Sequence, residues 1–100
     1  MHYFTIEQRE TLKQMLQARA EVLREEIRED TQADLNAEPE AVALRLDVAE
    51  LRAVEAALAR LHAPEFGLCA DCAAQIPYSR LSANPAASRC IACQAMHERV

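Results

Sequence analysis

Cys69-Ala70-Asp71-Cys72 and Cys90-Ile91-Ala92-Cys93 are two Cys-x-x-Cys pairs with 17 residues between them, and they use every cysteine in the chain. A Cys-x-x-Cys pair lets two thiolates converge on one ion from a single tight turn. Two such pairs at this separation close a four-thiolate tetrahedron, which suits Zn²⁺ at Zn–S distances of about 2.3 Å. Cys69, Cys72, Cys90 and Cys93 are therefore the expected ligands of one structural zinc ion. The competing readings are a pair of disulfides or four unrelated buried thiols, and nothing in the composition speaks for the oxidising compartment that disulfides need. Four thiolates leave no open position for water or substrate, so the site predicts stability and not catalysis. No nucleophile with a base and an orienting group can be recognised either, and the expectation is a protein that is not an enzyme.

Outside that stretch the chain reads as helix. Cys69 to the C-terminus is too short to bury a sufficient core, so the metal must supply what apolar burial cannot. Aromatic content is 4%, with one Gly and no Trp, a composition of long helices and not of sheets. A net charge of −5 argues against a surface that neutralises nucleic-acid phosphates, so no direct sequence-specific DNA binding is expected. The first residues, Met1 to Glu7, show no basic region followed by an apolar core. No apolar run approaches the roughly 20 residues of a membrane span, so a cytoplasmic protein without membrane contact is expected.

Thr5-Ile6-Glu7-Gln8 has the form of a capping box, with Phe4 placed to brace the first turn. From there Leu12, Leu16, Ala20, Leu23 and Ile27 recur at three- and four-residue steps, widened by Met15 and Val22. One helix is predicted over 6–30. Turn formers then gather up to Pro39, which is tolerated in a first helical turn, and a second helix is predicted over 38–62, ending before Pro64. Its stripe is Leu44, Val48, Leu51, Val54 or Glu55, Leu58 and Leu61. Folding back at 33–34 sets Leu16 opposite Leu51, Ala20 opposite Val48 and Leu23 opposite Leu44, with all four leucines at one seam. The prediction is a mainly all-α protein: an antiparallel two-helix coiled-coil hairpin over 1–63, each arm about 37 Å long, then a small four-cysteine zinc finger over 64–100 with a short C-terminal helix from Cys90 to Arg99.

The hairpin tip, near 29–38, concentrates acid: Glu25, Glu26, Glu29, Asp30, Asp34 and Glu38, with Arg24 and Arg28 interleaved. It reads either as a solvated turn or as a narrow acidic probe for a basic or metal-containing cavity in a partner. Gly67 falls at the turn entering the zinc site. Between the cysteine pairs, short extended pieces or irregular turns are expected, with Ile76, Tyr78 and Leu81 forming a small core. His97 follows Cys93 at a ligating spacing, but four thiolates make an exposed position the expectation.

The segment Phe66 to Cys93 resembles the zinc finger of the DksA/TraR family of bacterial transcription regulators. The family pattern places Ile four residues after the second Cys, Arg four after that, Pro five after the Arg and the third Cys five further on. Ile76, Arg80, Pro85 and Cys90 stand at those positions, and Phe66-Gly67 and Cys90-Ile91-Ala92-Cys93 are also family-like. The resemblance implies a protein that binds RNA polymerase directly. The coiled coil would enter the secondary channel, tip carboxylates would approach the active-site region, and initiation would be modulated. It carries over to the tip as Asp30, Asp34, Glu29 and Glu38, and to the finger as Arg80, as candidate partner-binding residues. The family tip reads Asp-x-x-Asp-x-Ala, whereas here Asp30 and Asp34 are spaced by four and Ala37 follows. Members that respond to guanosine tetraphosphate carry basic residues where this chain has Asn84 and Gln94, which weakens the expectation of such a response. The family's acidic or serine residue after the first Cys is Ala70, and its glycine after the second is Ala73. The alternative function is a zinc-stapled helical hairpin that docks on a different protein partner.

Overall fold

The computed structural model describes the backbone of residues 3–32 and 38–99 and the side chains of residues 3–29 and 44–99. Among the described residues four helices follow one another: α1 (Ile6–Gln32), α2 (Glu38–Arg60), α3 (Tyr78–Ala83) and α4 (Ile91–Glu98). No strand is formed among the described residues, only an isolated antiparallel bridge between Leu68 and Gln75.

The start of α1 is the capping box in full. The Thr5 amide donates to Gln8 Oε1 at 2.9 Å and the Gln8 amide donates to Thr5 Oγ1 at 3.0 Å. Two amides that the helix itself cannot satisfy are thereby satisfied reciprocally. The helix then packs along α2, and α3 rests on α1.

Burial divides into two clusters. Leu16, Ala20 and Leu23 of α1 join Val54 and Ala57 of α2, with Leu51, Leu58 and Ala86 partly buried against them. At the hairpin base, Phe4, Leu12 and Leu61 join Phe66, Cys69, Ile76, Leu81 and Ala87, so that the helical arms and the finger share one core. Phe4 does more than brace the first turn: its ring meets Phe66 edge-on at 6.0 Å and Tyr78 at 6.1 Å. Gly67, at φ 98°, lies beneath that ring, and a Cβ there would overlap Phe4 Cε2. Glycine is required at this position both for its left-handed backbone and for the close approach.

Three expectations are corrected. The pairing along the hairpin is displaced toward the C-terminal end of α2. Val54 and Ala57 take the fully buried places assigned to Leu44 and Leu51, which are only half-buried, and Leu44 and Val48 lie outside both clusters. Ala20 and Ala57 are buried within this seam, and a bidentate ion pair crosses it. Arg19 Nε and Nη2 donate to Glu50 Oε1 and Oε2, each at 2.8 Å. That hydrogen bonding, with the nearby positive charge, holds the Glu50 carboxyl below its usual range. Met15 and Val22 do not widen the buried stripe; both are exposed. The fold-back point at 33–34 lies outside the described residues.

The third correction is α3, which forms where irregular turns were expected. Pro77, at φ −61° and ψ 145°, precedes it, and its carbonyl accepts from the Arg80 and Leu81 amides at 3.0 and 3.2 Å. Six residues are too few to show a helical period in the sequence. Burial of Leu81 explains why the turn closes here, since that side chain fills the core shared with α1. Ile76 and Leu81 are buried and Tyr78 is partly buried, as the small-core reading required.

Candidate metal centre

The first cysteine pair is a tight turn. The Cys69 amide donates to the Ala74 carbonyl at 2.7 Å, and the Ala73 amide returns to the Cys69 carbonyl at 2.9 Å. Ala73 takes φ 63°, the left-handed region that a Cβ disfavours. Ala73→Gly should therefore stabilise the finger. Relief of about 1–2 kcal/mol of strain is offset by about 0.4–1 kcal/mol of extra unfolded-state entropy. Thermal unfolding of the zinc-loaded chain checks this, and an unchanged or lowered midpoint would remove the strain from the account.

The second pair opens α4. Cys90 is the residue that caps it, its Sγ accepting from the Cys93 amide at 3.5 Å, and the Gln94 amide bonds the Cys90 carbonyl at 2.9 Å. The same cysteine thus starts the helix and offers its sulfur to the four-thiolate cluster. Between the pairs, the Ala70 amide donates to the Ser88 carbonyl at 2.8 Å, drawing the two turns together.

The four Sγ atoms consequently lie within 4.8 Å of one another, and Cys72 Sγ and Cys90 Sγ are 3.8 Å apart. A tetrahedron with Zn–S bonds of about 2.3 Å has edges of about 3.8 Å. The cluster is therefore the right size for zinc, whereas no sulfur pair is bonded as a disulfide. Electrostatics agree. Backbone amides, that of Cys90 foremost, draw the Cys69 thiol down to about 6. Hydrogen bonding with the surrounding thiols, Cys90 first, pushes Cys93 strongly upward, and repulsion from the Cys69 thiolate adds to it. A divalent cation removes that repulsion and allows all four to ionise. His97 is no part of the cluster; it is exposed, and its Nε2 lies 3.1 Å from Asp71 Oδ2.

Several residues that support the site were not anticipated. Arg60, at the end of α2, donates Nη2 to the Ala87 carbonyl at 3.5 Å. Arg89 Nε donates to Asp71 Oδ2 at 2.8 Å. The charge pattern held a signal for that pair, since an acid sits inside one Cys-x-x-Cys and a base immediately precedes the other. Arg80, expected to face a partner, donates Nε to the Arg89 carbonyl at 2.9 Å and so fixes the approach to Cys90.

At the far end of the hairpin, Glu29 is exposed, and Glu25 pairs with Arg28 at 2.9 Å. Asp30 lies in α1 and Glu38 in α2, but their side chains, like the whole of Asp34, lie outside the described residues.

A paired-helix arm ending in a four-thiolate centre defines a zinc-stapled helical protein. Residues 64–99 match the model of the prokaryotic dksA/traR C4-type zinc finger. The structure of transcription factor DksA2 from Pseudomonas aeruginosa is similar, with a TM-score of 0.65 and 24% identity over 97% of this chain and 88% of that one. No curated protein sequence is matched. The C-terminal module is thus a DksA/TraR-type C4 zinc finger holding one structural zinc ion, and the chain as a whole has the DksA fold. No helix among the described residues is long and apolar enough to cross a membrane.

Proposed function

We propose that this chain is a DksA-type transcription regulator that binds RNA polymerase directly, places its hairpin tip in the secondary channel and modulates initiation. The observation that carries the reading is the combination of a DksA/TraR-type finger with a DksA-like fold over almost the whole chain. Neither half alone would do so, because helical hairpins and four-cysteine fingers each occur with many functions. A closed thiolate centre supports a role through binding, without catalysis.

Division of labour follows from the shape. The finger and the hairpin base share one core and form a firm end suited to holding the rim of a channel. Arg80 keeps guanidinium donors beyond its bond to Arg89 and is the finger residue we assign to the partner. The acids Glu29, Asp30, Asp34 and Glu38 belong to the tip, where carboxylates act on basic groups and on a catalytic Mg²⁺ through charge. Asn84 and Gln94 stand where family members that respond to guanosine tetraphosphate carry basic residues, which speaks against such a response here.

Binding and effect should then separate. Asp34→Asn removes a charge and little volume, so polymerase affinity should persist while the change in open-complex lifetime shrinks. Asp30→Asn should act likewise, with the double variant most severe. In vitro transcription with purified polymerase, with and without the protein, provides the measurement. Lifetimes that the wild-type protein alters equally with all three variants would leave a docking role and remove the acidic probe.

A further inference from the structure

Asp71 lies inside the first cysteine pair but spends its charge on the second. Its Oδ2 accepts from Arg89 Nε at 2.8 Å, and His97 Nε2 lies 3.1 Å from the same oxygen. Arg89 is the residue immediately before Cys90, and His97 stands one helical turn beyond Cys93 on α4. That helix needs an anchor. None of its residues is buried, Ile91 and Met96 are about two-thirds exposed, and among the described residues it packs against no other helix. Beyond Cys93 and the capping Cys90, His97 beside Asp71 links α4 to the first turn.

We infer that Asp71 is a clasp, an outer-sphere carboxylate that locks the two cysteine pairs together and sets how long the zinc is retained. Zinc leaves a four-thiolate site by stepwise opening, one pair swinging away before the ion departs. A cross-link between the pairs keeps the opened thiolates at high effective concentration, so reclosing outruns loss. Outer partners of metal ligands typically matter about 10–100-fold, and the partial exposure of Asp71 and Arg89 places this pair at the lower end. The inference rests on the zinc site alone and is independent of any action on polymerase.

Electrostatics makes the idea sharply testable. Four thiolates and Zn²⁺ carry a net charge of −2, so a carboxylate nearby is repulsive and a guanidinium attractive. If Asp71 and Arg89 acted only as bystander charges, Asp71→Asn and Arg89→Gln would change zinc release in opposite directions. A clasp predicts that both hasten it.

The test follows release of zinc from the full, zinc-loaded chain to a chromogenic chelator in excess. Asp71→Asn and Arg89→Gln should each accelerate release about tenfold, with the double variant no faster than either alone. His97→Asn should show a smaller acceleration and loss of amide protection confined to α4. Far-UV circular dichroism of each loaded variant verifies that the fold is intact. Arg89→Gln leaves the first pair untouched and carries the same expectation by itself. Unchanged release, opposite signs for the two variants, or multiplying effects in the double variant would each overturn the clasp.

Discussion

Cys72→Ser is expected to abolish zinc retention and to unfold the chain beyond Phe66, while much of the helicity of α1 and α2 survives. The finger's apolar content is Phe66, Ile76, Leu81 and Ala87 with the buried Cys69, and α4 contributes no buried residue at all. So few side chains cannot offset the ordering entropy of the segment. Structural zinc in such modules contributes on the order of 10–16 kcal/mol of apparent binding energy at neutral pH. The damage should reach the hairpin base, because Phe4, Leu12 and Leu61 lose their partners there. Leu16, Ala20 and Leu23 belong to the other cluster and should keep α1 on α2. Acid should reproduce the effect. Ligation lowers the thiol pKa values below those of the free chain, so the stabilisation is present at neutral pH and lost as pH falls. Metal content, circular dichroism and amide exchange together check this. A zinc-free preparation still ordered beyond Phe66 would refute it.

The second large effect distinguishes positions that look equivalent in the sequence. Leu16→Ala should cost about 2–5 kcal/mol, nearer the lower end because a two-helix seam is thin. Leu44→Ala should cost well under that, since Leu44 is half-buried and outside both clusters. Leu23, fully buried, should behave like Leu16, and Leu51 should fall between. Urea unfolding at constant m-value gives the comparison directly. Equal losses for Leu16→Ala and Leu44→Ala would restore the symmetric register and contradict the offset observed here.

The contrast between those leucines shows what the sequence can and cannot express. Periodicity identified both helices and the buried residues of α1, because every third or fourth residue must be apolar wherever a helix is buried. In α2, however, it placed Leu44, Val48 and Leu51 where Val54 and Ala57 are buried. Local chemistry was as legible: Thr5 and Gln8 mark the start of α1, and Gly67 marks the turn into the finger. The zinc site was legible because ligand identity and spacing are themselves the chemistry. Register was not, since each stripe repeats every turn and a slide along α2 replaces one apolar residue with another. The deciding features are the burial of Ala20 and Ala57 and the Arg19–Glu50 pair, both of which depend on partners distant in sequence. The same holds for Phe4, whose ring settles over Gly67 and against Phe66, and for Asp71, which closes on Arg89. Alanine is where sequence reasoning was weakest. Ala57 is fully buried, but it reads as filler beside Leu58.

Binding to purified RNA polymerase, measured by titrating the labelled, zinc-loaded chain, tests the central claim most directly. The account predicts saturable binding in the absence of DNA that is lost with Cys72→Ser and preserved with Asp34→Asn. Absence of binding by the intact, zinc-loaded chain would contradict it and would assign the zinc-stapled hairpin to another protein partner.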